Sequence, residues 1–290
     1  MISLIICSRQ PDIPQSLKDN IAETIGVEYE LVIIDNSENQ YSIFQAYNEG
    51  VKRARYPYLC FMHDDILYHT QNWGEKVIEH FQDEKVGLIG VMGGHYLPDC
   101  PASWWSTECR SGKVIQGYFD NLGKYCVKEF NWNRYNVFDN KSIIVSVVDG
   151  FWFCIRKGLF DKVRFDENFK GFHCYDLDIS MQIQGLGYDI RVIFDNLIEH
   201  FSFGNLDIDL FKQNKLFYQK WKNDLPVIKG IDLTNNEILD RKYFVEKQNE
   251  MQEYIFYQSD EIRKIQFSKA YRLGKFILKP FSLLKRILKQ

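Results

Sequence analysis

The first ninety residues alternate short apolar runs with helix-patterned segments, and that rhythm leaves few folds open. Residues 2–7, 29–34, 58–62 and 86–91 are apolar almost without interruption. Such runs suit strands buried on both faces rather than strands with one wet face. Between them, segments 15–25, 41–54 and 72–82 carry helical spacing. Strands alternating with helices predict an α/β fold, a mostly parallel sheet flanked by helices on both faces.

The rhythm stops near Gly93. Residues 93–142 are rich in Gly, Pro, Asn and Trp and read as a long aromatic insertion with one or two hairpins. Order returns with a β-branched strand at 143–148, which leads into Asp149-Gly150-Phe151-Trp152. A helix is expected over 175–187 and a strand over 188–194, with His200 just beyond. Helical patterning then dominates, over 207–222 and 235–265. The expected organisation is an α/β domain over 1–205, a helical extension over 206–267 and a basic tail over 268–290. Within the first, 1–92 form one half, 93–142 the insertion and 143–205 the second half.

Charge separates the tail from the rest. The chain is nearly neutral at -3, which argues against a general nucleic-acid binder. Residues 268–290 hold Lys269, Arg272, Lys275, Lys279, Lys285, Arg286 and Lys289 and no acid, so residues 1–267 carry a net -10. On a helix, Leu273, Phe276, Ile277, Phe281, Leu284, Ile287 and Leu288 share one face and the cations another. That pattern suits either an amphipathic helix lying on an anionic membrane surface or a helix docked on the body. Pro280 interrupts a single straight helix.

Seven cysteines are scattered, with no C-x-x-C pair. The pattern favours free thiols in a reducing compartment and offers no usual zinc spacing. No signal peptide and no membrane span are expected from the apolar runs. The expected location is the cytoplasm, peripheral on the inner face of the cytoplasmic membrane through the tail.

In an open parallel sheet, ligands bind at the carboxyl ends of the strands. The residues just past the strand ends are Ser8 and Arg9; Asp35, Asn36 and Ser37; His63, Asp64 and Asp65; then Asp149 and His200. Acids and imidazoles gathered at one sheet edge are not what a packed core calls for. Asp64-Asp65 reads either as an Asp-rich turn or as a cation site, since adjacent carboxylates repel unless a cation joins them. Oxygen ligands favour Mg²⁺ or Mn²⁺, and an imidazole tilts the choice toward Mn²⁺. Such an ion suits a substrate diphosphate. No G-x-x-x-x-G-K-[ST] loop, no G-x-G-x-x-G after the first strand and no G-x-S-x-G elbow is present.

Taken together, these segments resemble the GT-A fold glycosyltransferases of the family 2 type, over about residues 1–205. The resemblance rests on S-L-I-I-C-S-R (3–9), L-V-I-I-D-N-S (31–37), A-Y-N-E-G-V-K-R-A (46–54) and Y-L-C-F-M-H-D-D-I-L (58–67). It continues through V-D-G-F-W-F (148–153), G-F-H-C-Y-D-L-D-I-S (171–180) and I-E-H-F-S-F-G (198–204). It implies a nucleoside-diphosphate sugar donor, with UDP-sugars the commonest. Ser8, Arg9, Asp35, Asn36, Ser37, Asn48 and Asp64 would lie on the donor side. Asp65 and His200 would hold a divalent metal, with His63 standing where the family's D-x-D motif has its first acid. Asp176 would be the general base of an inverting displacement on an acceptor hydroxyl. Tyr175 stands where the family has an acid before that base.

Asp149, Gly150 and Trp152 fall on the acceptor side. Trp104 and Trp105, with Tyr118, Tyr125, Trp132 and Tyr135, suit either sugar stacking or a satellite apolar cluster. His173 is either an acceptor-site or a loop histidine. The acceptor implied is a saccharide or a lipid-linked one, as in cell-surface polysaccharide assembly. Two rivals share the pattern: a nucleotidyltransferase, and a non-catalytic nucleotide- or sugar-binding protein.

Overall fold

The computed structural model of the chain describes residues 1–119, 123–133, 141–202, 207–269 and 273. In chain order the elements begin β1 (Ile2–Ser8), α1 (Gln15–Thr24), β2 (Tyr29–Asp35), α2 (Ile43–Arg53), β3 (Tyr58–Met62), β4 (Ile66–Tyr68), α3 (Trp73–His80) and β5 (Val86–Gly90). Then come β6 (Met92–Gly94), β7 (Tyr96–Leu97), β8 (Arg110–Phe119), β9 (Tyr125–Asn133), β10 (Ser142–Val145), β11 (Val147–Val148) and β12 (Trp152–Arg156). The series ends with α4 (Tyr175–Gly185), β13 (Asp189–Ile193), β14 (Ile198–His200), α5 (Ile208–Trp221), β15 (Val227–Ile228) and α6 (Asn235–Phe267).

Seven described strands form the main sheet in the order β10-β13-β5-β12-β3-β1-β2. Five run one way. β12 and β10 run against them. The sheet is therefore mixed and mostly parallel, as the alternating pattern predicts. Its strands are apolar because both faces are covered: every residue of β5 is buried, as is β1 apart from Cys7. Helix α2 starts at a capping box, in which Ser42 and Gln45 satisfy each other's backbone amides. It lies so close to β1 that a Cβ on Gly50 would sit 2.3 Å from Ile5 Cγ2. Only glycine fits there.

β12 was not anticipated as a strand. The segment 148–153 is expected on the acceptor side, whereas Trp152–Arg156 runs antiparallel in the middle of the main sheet, between β3 and β5. The single strand expected over 143–148 is in fact two. Ser146 breaks it: its amide donates to Gly94 O and its hydroxyl to His95 O. The chain thereby leaves the main sheet after β10 and enters a second one as β11.

That second sheet has the order β11-β6-β8-β14-β4, with β9 paired to β8. The insertion supplies its β6, β8 and β9, so it builds the sheet that carries His200 in β14. Against the main sheet lies an aromatic cluster in which Tyr47 packs on Phe61 at 4.9 Å and on Tyr175 at 5.5 Å. Burying each such ring contributes roughly 1.5–3 kcal/mol.

The chain separates into two compact units, residues 1–245 and 246–290. The described part of the second is helical, with Met251, Tyr254, Ile255, Ile262 and Ile265 exposed. Most of the basic tail lies outside the described residues, as does Tyr135. No described helix is long and apolar enough to cross a membrane. None of the seven cysteines forms a disulfide.

Candidate active site

The carboxyl ends of β1, β2 and β3 lie side by side, because β1 pairs in parallel with both others and aligns Ser8 with Asp35. Ser8 is buried and its hydroxyl donates to Asp64 Oδ2 at 2.7 Å. Asp35 is exposed at its strand end. Its carboxyl is held below the usual range mainly by the Ser37 backbone amide, which donates to Oδ1 at 2.9 Å. The Arg9 guanidinium sits 5.9 Å from the Phe172 ring. These residues share one edge of the sheet.

Two donor-side candidates point elsewhere. Asn36 is buried and exchanges both side-chain hydrogen bonds with the backbone of Tyr41, so it shapes its own loop. Asn48 is tied to the backbone of Phe165 and to Glu167, pinning α2 to the segment before α4. Both amides are engaged within the chain.

Where the two sheets meet, three side chains converge. His63 follows β3, Asp65 precedes β4, and His200 ends β14, directly opposite Ile66 in the β4–β14 pair. One ligand atom from each lies within 4.8 Å of the others. Asp65 Oδ1 is 3.8 Å from His63 Nδ1 and 3.5 Å from His200 Nε2. Burial pushes the Asp65 carboxyl up. The His200 ring, a hydrogen bond from Ser202 and the His63 ring outweigh it and hold the group well below the usual carboxylate range. His63 is pushed down, first by loss of water and then by His200. Asp64 stays outside this cluster, bonded to Ser8.

These residues fit a divalent cation. His200 Nε2 is buried with no hydrogen-bond partner among the described residues, although it faces a carboxylate. A buried lone pair left in that state costs free energy unless something takes it up. Two imidazoles and a carboxylate form a three-ligand set of the chemistry a divalent transition metal takes.

The cluster is held by groups that the sequence did not flag. Gln116, on β8, donates its amide to the carbonyls of both His200 and Ser202. Phe151 stacks on the His200 ring at 4.7 Å, and its carbonyl accepts the His63 amide. A buried glutamine inside an alternating strand is the sole trace of this in the sequence.

On the other side of Phe151 stands a carboxylate pair. Asp149 is fixed from two directions: Trp104 Nε1 donates to Oδ2 at 2.8 Å and the Phe151 amide to Oδ1 at 2.9 Å. Asp176 is buried, and its pKa is raised to about 8, first by burial and then by the charge of Asp149. Such a group titrates near neutral pH, the range suited to proton transfer. Asp178, on the same helix turn, is a structural acid instead, ion-paired with Lys220 and bonded to Trp221.

The acceptor-side candidates divide. Trp152 is wholly enclosed and its indole donates to Tyr68 OH, so it cannot touch an acceptor. Its place in a central strand is the reason. Trp104 is buried as well and acts through Asp149, while Trp105 is partly exposed and packs edge-on against Trp104 at 5.5 Å. Gly150 leaves room for Tyr175: a Cβ there would meet the tyrosine oxygen at 2.4 Å. Tyr175 is buried, bonded to His63 and to the Gly150 carbonyl. His173 is partly buried and faces Asp207, the N-cap of α5, at 3.6 Å.

With this geometry in hand, the chain belongs to a glycosyltransferase-like family, whose sequence profile matches residues 3–218. The mostly parallel α/β body agrees with the fold that the sequence resemblance implies. Similar solved structures include GalNAc-T7, crystallised with UDP, GalNAc and Mn²⁺, at 12% identity and TM-score 0.48, over 86% of this chain and 54% of that one. Another is A197 from STIV, at 12% identity and TM-score 0.40, over 81% and 96% of the two chains. The chain thus spans about half the length of the GalNAc-T7 structure. No curated protein matches it.

Proposed function

We propose that the chain transfers a sugar from a nucleoside-diphosphate sugar, with UDP as the nucleotide, to a hydroxyl of a saccharide or lipid-linked acceptor, inverting the anomeric carbon. The observation that carries this reading is the placement of a buried, high-pKa carboxylate beside a three-ligand cation cluster at the carboxyl edge of the sheet. Asp176 accepts the proton of the attacking hydroxyl. Burial first, and then the charge of Asp149 held by Trp104, keep Asp176 basic enough for that transfer. The edge formed by Ser8, Arg9, Asp35, Ser37 and Asp64 takes the nucleoside and ribose. His63, Asp65 and His200 hold a divalent cation, Mn²⁺ in preference to Mg²⁺ because two of the three ligands are imidazoles. When bound, that ion neutralises the charge that grows on the leaving diphosphate. No covalent nucleophile on the protein is needed.

The basic tail, residues 268–290, brings the enzyme to an anionic membrane surface where lipid-linked acceptors reside, as in cell-surface polysaccharide assembly. Loss of co-sedimentation with phosphatidylglycerol vesicles on deleting residues 268–290 tests that part alone.

The main test is turnover of a panel of UDP-, GDP- and dTDP-sugars with Mn²⁺, comparing wild type with Asp176→Asn. Release of one nucleoside diphosphate by wild type, lost in the variant, is expected. Pyrophosphate release from nucleoside triphosphates would instead make the chain a nucleotidyltransferase, and nucleotide binding without any turnover a binding protein.

A further inference from the structure

Tyr175 has no role in the site as described so far, yet its hydroxyl touches the cation cluster. It lies 3.0 Å from His63 Nε2 and 3.0 Å from the Gly150 carbonyl oxygen. The two positions at which the chain departs from the family pattern, His63 and Tyr175, are therefore bonded to each other.

The hydrogen-bond chain has one consistent direction. A phenol has a single hydrogen. The Gly150 carbonyl can only accept, so the Tyr175 hydroxyl spends its hydrogen there. The same oxygen must then accept from His63, which requires the imidazole proton to be on Nε2. Nδ1 is left with a bare lone pair, and it is Nδ1 that faces Asp65, at 3.8 Å. A histidine binds a metal through the nitrogen that carries no proton, and its tautomer is set by the partner of the other nitrogen.

We infer that Tyr175 is a positioning residue that fixes His63 as the Nε2–H tautomer and so makes Nδ1 the third ligand of the cation site. The inference rests on the proposed metal role of His63, Asp65 and His200. Three features make the tyrosine a rigid anchor. It is buried, it packs against Phe44, Tyr47 and Phe153, and Gly150 leaves space for its hydroxyl. An acid at position 175 would sit beside the buried Asp176 and Asp149, adding a like charge; the phenol fixes the ring without one.

The test uses two measurements on the full chain. The first is ¹⁵N NMR of the His63 ring in metal-free wild type and Tyr175→Phe. The second is Mn²⁺ titration followed by electron paramagnetic resonance, on the same proteins and on Asp65→Ala. In wild type the proton is expected on Nε2. In Tyr175→Phe, which keeps the ring and its packing, both tautomers should appear and Mn²⁺ affinity should fall about 10–100-fold, the usual effect of removing a partner of a metal-bound histidine. A wild-type proton on Nδ1 overturns the inference, with no variant required. So does Tyr175→Phe with unchanged Mn²⁺ affinity. Should wild type bind no Mn²⁺, or bind it equally after Asp65→Ala, the metal reading itself fails, and the inference that depends on it fails too. The wild-type tautomer then shows whether the error lies in the hydrogen-bond chain or only in the metal.

Discussion

The two sheets solve different problems. The main sheet is a scaffold: its strands are continuous apolar runs, covered on both faces, and its edge lines up Ser8, Arg9, Asp35 and Asp64. The second sheet is an assembly device. Apart from the long β8–β9 hairpin its strands are two or three residues each, Gly93, Gly94 and Gly112 fall within the sheet, and its strands come from separate parts of the chain. The cation cluster needs both, because His63 leaves the main sheet while Asp65 and His200 border or lie in the second. Stability is concentrated in the first sheet, whereas the geometry of the ligands depends on the second.

The largest expected effect is on chemistry rather than on either sheet. Asp176→Asn should lower transfer about 10²–10⁴-fold, as loss of a general base does. It should also change the pH dependence of stability. The folded-state pKa of about 8 lies above the usual 3.8, so the native protein holds a proton that the unfolded chain releases between those values. Native stability therefore falls as pH rises through that window, by at most about 1.4 kcal/mol per pH unit from this group. Asp176→Asn should remove that slope, and Tm measured from pH 5 to 8 checks it. In wild type, the transfer rate should climb as pH approaches 8.

Next in size, a scaffold substitution should separate stability from binding. Leu4→Ala in β1 should cost about 2–5 kcal/mol of unfolding free energy. Mn²⁺ affinity of the molecules still folded should not change, and denaturant melts with metal titrations report both.

Gln116→Ala should weaken stability and binding together. The carbonyls of Gly117, His200 and Ser202 lose their donor, at about 1–3 kcal/mol. The backbone carrying His200 is freed, so Mn²⁺ affinity should drop about tenfold. Equal behaviour of these two variants would erase the contrast between the sheets.

The smallest effect on activity is expected at Trp152. Trp152→Phe removes one buried hydrogen bond to Tyr68, about 1 kcal/mol, adds the cost of the cavity the smaller ring leaves, and leaves KM for any acceptor unchanged.

This contrast also explains what could be read from the residues alone. The main-sheet elements stand nearly where the apolar runs put them: the run 58–62 coincides with β3, and β1 ends one residue beyond the run 2–7. Strands buried on both faces advertise themselves. β12 was missed because Trp152–Ile155, an apolar run, follows directly on a turn and was absorbed into a motif. β4, β6 and β14 are three residues each, too short to carry a period of two. At the site, the strand-end residues were legible because a parallel sheet gathers them at one edge. Their supports were not. Gln116 lies 84 residues from His200, and nothing local in the sequence links them. Asn36 and Asn48 looked like ligand contacts, yet loop closure consumes their amides.

The central claim is that His63, Asp65 and His200 bind a cation that in turn holds a nucleoside diphosphate. Calorimetric titration of UDP, with and without Mn²⁺, on wild type and His200→Ala tests it most directly. The account predicts tight binding only with Mn²⁺ and only in wild type. UDP binding of equal strength with and without Mn²⁺, and unchanged in His200→Ala, would contradict it.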